Sequence, residues 1–104
     1  MNSEIVKFGI RGNEYICLIA VYPHIYGIDN LIHAITALQK QNYNVVIVIN
    51  KNKLSNLYKE RLSKFECTIL ERENVGRDFG AYKAGIQFLN SKQILPKAKQ
   101  LLLL

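Results

Sequence analysis

The chain has 104 residues, 49% of them hydrophobic and 21% charged, with a mean hydropathy of zero. That is one domain at most, apolar enough to bury a core and too polar overall for a membrane protein. Lysine and arginine number 14 against 8 aspartates and glutamates, for a net charge of +6. No apolar run reaches the roughly 18 to 20 residues of a membrane span, and the first residues lack a signal peptide's basic and apolar regions. Two cysteines exclude a disulfide scaffold, so reduced thiols in the cytoplasm are expected.

Residues 1–14 show no clear period and read as an arm or a short extra strand. Tyr15 to Tyr22 form a continuous apolar run rich in β-branched residues, as in a strand buried on both faces. Pro23 ends it, since proline cannot donate to a ladder. Ile28, Leu31, Ile32, Ile35 and Leu38 then recur at helical spacing, with Asp29 or Asn30 as candidate cap. Asn42-Tyr43-Asn44 breaks that pattern.

Val45 to Ile49 make a second buried strand, closed by the polar turn Asn50 to Lys53. Ser55 is the candidate cap of a second helix with Leu54, Leu57, Tyr58, Leu62 and Phe65 as its stripe. Cys67 to Leu70 read as a third, shorter strand. A polar, glycine-bearing turn follows, and a helix from about Phe79 to Leu89 turns Tyr82, Ile86 and Leu89 inward. Leu101 to Leu104 read as a fourth strand, cut short. The order β-α-β-α-β-α-β predicts an α/β fold with a mostly parallel sheet covered by helices.

In such a sheet, ligands bind beyond the carboxyl ends of the strands. Three loops qualify: Tyr22-Pro23-His24-Ile25-Tyr26-Gly27, Asn50-Lys51-Asn52, and Glu71 through Gly80. In the third, Gly76 and Gly80 permit close approach, Arg77 is a fork suited to phosphate, and the following helix turns free N–H groups toward an anion. Asp78 either caps that helix or bonds a sugar hydroxyl. The competing reading is a capped turn in which Arg77, Asp78 and Glu73 pair among themselves. Neither a dinucleotide fingerprint nor a Walker loop is present.

His24 lies in a candidate ligand loop, whereas His33 lies within a predicted helix and reads as packing. Tyr22 and Tyr26 are candidates for stacking on a base. Cys17 and Cys67 fall in strands and read as inert buried thiols. Residues 1–50 balance in charge, so the whole basic excess lies in residues 51–104. Those lysines are scattered and no nucleic-acid motif accompanies them, so nucleic acid is not an expected partner.

The segment Glu73 to Gly85 reads Glu-Asn-Val-Gly-Arg-Asp-Phe-Gly-Ala-Tyr-Lys-Ala-Gly. It resembles the N-x-G-R-D-x-G segment of the rhamnan synthesis F family. These are bacterial proteins of cell-surface polysaccharide assembly, similar to glycosyltransferases of the GT-A fold. Ala20 through Leu38 resembles the family's first strand, loop and helix. The resemblance covers roughly residues 15–104. It implies a three-layer, Rossmann-like nucleotide-binding half-domain that takes a nucleoside-diphosphate sugar. Tyr22, Pro23, Tyr26 and Asn50 would lie by the base or ribose, Asn74, Gly76, Arg77 and Asp78 would line the donor pocket, and His24 joins the substrate-binding candidates by its place in the first loop.

A divalent metal, Mg or Mn, is the cofactor the resemblance implies. Its acidic ligands would follow the leucine-rich fourth strand, beyond Leu104. A lipid-linked or polysaccharide acceptor would be bound by that further part as well. The implied location is the cytoplasm, at most peripheral at the inner face of the membrane. The alternative function is a non-catalytic α/β binding module.

Overall fold

A computed structural model of the chain describes residues 3–10, 15–73 and 80–104. Five strands and three helices follow in the order β1 (Ser3–Lys7), β2 (Tyr15–Val21), α1 (Ile28–Lys40), β3 (Asn44–Asn50), α2 (Ser55–Leu62), β4 (Thr68–Arg72), α3 (Gly80–Ser91) and β5 (Gln100–Leu103). A short 3-10 turn at Leu95–Lys97 precedes β5. The radius of gyration, 12.5 Å, agrees with the roughly 13 Å of a folded chain of this length.

The strands form one mixed sheet in the order β1-β4-β3-β2-β5. β4, β3, β2 and β5 are mutually parallel, as the alternation of strands and helices requires. β1 is the departure: it joins β4 antiparallel, with a bulge at Val6. Alternating Ser-Glu-Ile-Val-Lys marks it as a half-exposed edge strand and not a buried one.

The two sheet faces carry separate cores, because successive side chains of a strand point to opposite sides. Cys17, Ile19, Val21, Val45, Ile47, Ile49 and Ile69 meet Ile28 and Ile35 of α1 and Tyr58 and Leu62 of α2. Ile16, Leu18, Val46, Val48 and Leu70 meet Ala81, Ala84, Phe88 and Leu89 of α3. Each fully buried aliphatic side chain contributes about 1.5–3 kcal/mol of transfer free energy. The result is three layers, helices over both faces of the sheet.

Several local expectations are corrected. Gly27 is the residue before α1 and no side chain caps the helix; Asp29 sits within the first turn and pairs with Arg61 across the surface, 3.0 Å away. Leu54 precedes α2, and Ser55 is its first residue. Leu57 is 44% exposed, because α2 is short and turns only Ser55, Tyr58 and Leu62 to the sheet. On α3 the buried set is Ala81, Ala84, Gly85, Phe88 and Leu89, while Tyr82 and Ile86 lie half-buried on its flank.

The reason is close approach. A Cβ on Gly85 would run into the Cδ atoms of the buried Leu18, so this helix packs on β2 through small residues. At the end of α1, Asn42 takes a left-handed conformation, φ 68°, and the Tyr43 N–H closes back on the Leu38 carbonyl at 3.1 Å. Gln93 does the same after α3, φ 58°, with the Ile94 N–H on the Leu89 carbonyl at 2.9 Å.

Candidate functional site

Parallel strands all end on one side, so the loops after β2, β3 and β4 share one rim of the sheet. Strand order also reverses within this set. From β2 the chain moves to β3 and β4 on one side, then returns to place β5 on the other. The β2–β3 crossover through α1 and the β4–β5 crossover through α3 therefore lie on opposite faces of the sheet.

The loop after β2 is held by its backbone. Asn50 Nδ2 donates to the Val21 carbonyl at 3.1 Å, Asn52 Nδ2 to the Pro23 carbonyl at 2.8 Å, and Tyr58 Oη to the His24 carbonyl at 2.6 Å. The His24 N–H returns a bond to Tyr58 Oη at 3.1 Å. Gly27 is needed beside this clamp, since a Cβ there would stand 2.7 Å from Tyr58 Oη and 2.5 Å from His24 Nε2. The loop's own side chains remain outside the clamp. Tyr22 is 46% exposed, Ile25 69% and Tyr26 84%, and His24 is exposed too. Three large apolar side chains exposed in one six-residue loop are a concentration that packing does not explain.

Two expected site residues turn inward instead. Pro23 is buried. Asn50 is 1% exposed and its amide is used at both ends, on the Val21 carbonyl and on Arg72 Nη1. Its position holds the rim together and gives a ligand no free atom of that amide. Asn74, Gly76, Arg77 and Asp78 lie outside the described residues.

Two charged residues of the third candidate loop belong instead to the strand before it. β4 continues two residues past its apolar run, through Glu71 and Arg72, both buried. Arg72, 2% exposed, donates from Nη1 to Asn50 Oδ1 at 2.5 Å, and its carbonyl accepts the Lys51 N–H at 2.8 Å. The guanidinium lies against the start of α3, where a Cβ on Gly80 would approach Nη2 to 2.7 Å. A permanent cation thus sits beside a helix N-terminus that is itself partly positive.

Glu71 points to the other face. Its Oε1 meets Lys59 Nζ at 3.1 Å, with side-chain exposures of 8% and 25%, and its Oε2 is buried with no hydrogen-bond partner among the described residues. Charged residues at the end of an apolar run read as loop. The parallel pairing of Ile49 with Glu71 and Asn50 with Arg72 is the signal that extends the strand.

Among the described residues, no group of three or more His, Cys, Asp or Glu side chains could hold a metal ion. Cys17 and Cys67 are free and buried, and burial pushes both thiols up to about 11. Lys7 offsets part of that shift at Cys67. Neither is a nucleophile at neutral pH. Among the described residues, no helix is long and apolar enough to cross a membrane.

A polar cleft of about 370 Å³ lies at the opposite end of the sheet, between Gly9, Gln39, Asn42 and Glu66. It is remote from the strand carboxyl ends.

No family model matches the chain, and no solved structure matches it. A protein of Sinorhizobium fredii, named as the uncharacterized protein y4gN, is similar at 37% identity over 71 residues. The matched stretch is 68% of this chain and 18% of that protein, so the chain spans about a fifth of this curated relative's length.

Proposed function

We propose that the chain is the donor-binding part of a glycosyltransferase that uses a nucleoside-diphosphate sugar in bacterial surface-polysaccharide synthesis. In this reading its sheet is a Rossmann-like unit resembling the nucleotide-binding half of a GT-A fold. The observation that carries the reading is the β2–α1 loop. It is fixed by three side chains through its backbone, stands at the carboxyl end of β2 beside the point where strand order reverses, and exposes Tyr22 and Tyr26.

A nucleoside suits that arrangement. Base–aromatic stacking contributes about 1–3 kcal/mol per base, and a clamped loop loses little entropy on binding. His24 is exposed between the two tyrosines, where its ring can meet a ribose or phosphate oxygen. The diphosphate belongs by charge on the Arg72 side, where the guanidinium and the start of α3 converge. Asn74, Gly76, Arg77 and Asp78 complete the donor contacts by the family resemblance. A Mg or Mn ion would neutralise the leaving diphosphate, with ligands drawn from elsewhere in the protein. The acceptor, lipid-linked or polysaccharide, is assigned to other parts of the protein, and the place of action to the cytoplasm, at most at the inner membrane face.

The test is calorimetric titration with the common nucleoside diphosphates, with and without Mg²⁺ or Mn²⁺. Saturable binding that weakens about tenfold in Tyr26→Ala and again in Arg77→Ala is expected. Absence of binding by every nucleoside diphosphate sinks the proposal. Nucleotide binding without glycosyl transfer in the longest soluble protein supports the non-catalytic module instead.

A further inference from the structure

We propose that the polar cleft at the amino ends of the strands is a binding site for a short neutral saccharide. Its volume, about 370 Å³, falls within the roughly 300–1,000 Å³ of small-molecule sites. Gly9, Gln39, Asn42, Tyr43, Asn44 and Glu66 line it. They come from the residues after β1, the last turn of α1, the turn into β3 and the connection from α2 to β4.

Hydrogen bonds fix the walls and leave part of the lining unused. Gln39 Nε2 donates to the Glu66 carbonyl at 2.7 Å and ties α1 to the α2–β4 connection. The Gly9 N–H donates to Thr68 Oγ1 at 3.0 Å, and a Cβ on Gly9 would stand 2.8 Å from the Cys67 carbonyl oxygen, so this backbone lies directly against the start of β4. Tyr43 Oη donates to Gln100 Oε1 at 2.9 Å, and its ring meets Tyr15 edge-on, 6.0 Å between centroids. Asn42 holds the left-handed turn at the end of α1. Gln39 Oε1 and the Asn42 side-chain amide make no hydrogen bond among the described residues. A ligand thus meets a shape set beforehand, and little ordering cost falls on its binding.

The chemistry of the lining selects the occupant. An amide both donates and accepts, as a sugar hydroxyl does, so Gln39 and Asn42 can exchange bonds with neighbouring hydroxyls. The half-buried Tyr43 ring offers apolar surface to the C–H face of a sugar. The exposed Glu66 carboxylate accepts strongly from hydroxyls and repels anions. The carboxyl end of α1, itself partly negative, borders the same cleft. Both disfavour a phosphate or a uronate, and an apolar ligand would leave the amides unpaired. The cleft lies at the opposite end of the sheet from the loops of the nucleotide reading and does not depend on that reading.

The probes are the neutral disaccharides maltose, cellobiose, mannobiose and diacetylchitobiose, titrated into the protein and followed by amide NMR. At least one should shift the N–H signals of Gly9, Asn42, Asn44 and Glu66 saturably and leave those of Tyr22 and Tyr26 in place. Asn42→Gly keeps the left-handed turn without the amide and should weaken binding about tenfold. Glu66→Gln, an exposed change, should weaken it several-fold. The uronic-acid counterpart of the disaccharide that binds should bind less well, and an added nucleoside diphosphate should not displace the sugar. No shift with any of the disaccharides, shifts confined to the loop after β2, or unchanged affinity in both variants overturns the proposal. So does tighter binding of the uronic acid. Displacement by the nucleotide overturns it as well, since the two ligands would then share one site.

Discussion

The two faces of the sheet are built on different terms. On the α3 face the first turns of the helix come close through Ala81, Ala84 and Gly85, ahead of the larger Phe88 and Leu89, and stability there is a matter of volume. On the α1–α2 face the helices stand on larger side chains, Ile35, Tyr58 and Leu62, and one of these also reaches the rim through its hydroxyl. Volume fixes one face, while the other divides its side chains between core and loop. A protein can thus place a tightly set layer behind its sheet and keep a chemically adjustable one in front.

The largest test of this contrast is Gly85→Val. Its branched side chain would meet Leu18, which is fully buried, and stability in chemical denaturation should drop by about 3 kcal/mol. Trimming the neighbour, as in Gly85→Val with Leu18→Ala, should recover part of that loss. No recovery would show that the face is not limited by volume.

A smaller effect is expected from Tyr58→Phe. The ring stays in the core, but the hydrogen bonds to His24 are lost, at a cost of about 1 kcal/mol. Amide exchange should quicken at His24 and Gly27, with the α3 face unchanged. If the loop keeps its protection, the hydroxyl is not what holds it.

A further test is a pH effect confined to the α1–α2 face, where both cysteines lie. Their folded pKa values stand above the unfolded value, so the native state holds its protons longer. Stability from this source is full below about pH 9 and falls as pH rises toward 11. Denaturation midpoints measured across that window should decline, and the decline should flatten in Cys17→Ala with Cys67→Ala. An unchanged slope would place the alkaline sensitivity elsewhere.

Much of the architecture is legible in the sequence because it is written in apolar runs. Ile16 to Ile19 and Val45 to Ile49 are buried throughout and read directly as parallel strands. Helix faces are less legible. Leu57, Tyr82 and Ile86 have helical spacing and apolar character, yet which flank meets the sheet depends on how closely the helix approaches, a tertiary quantity. β1 is only half legible, as an arm or a short extra strand, since an edge strand needs only half its residues apolar.

The rim is legible in its loops and not in its supports. Tyr22, His24 and Tyr26 stand exposed where the loop reading put them. Asn50 looks like a ligand group by composition, but pairing turns it inward. Arg72 and Glu71 look like loop by charge, but β3 draws them into the ladder. Tyr58 reads as one stripe residue among five, and only the folded loop gives its hydroxyl a partner.

The Asn50 amide has a last consequence, for how the chain finds its register. It joins Val21, Asn50 and Arg72, three positions far apart in the chain, and its bonds exist only when β2, β3 and β4 are aligned together. A slip of β3 by one residue would send the amide to the α1–α2 face, away from the guanidinium, and put Ile49 in its place. Valine and isoleucine are nearly interchangeable along β3, so its apolar residues discriminate weakly between neighbouring alignments. The single polar residue at the end of that strand acts as the index mark that tells one alignment from the next.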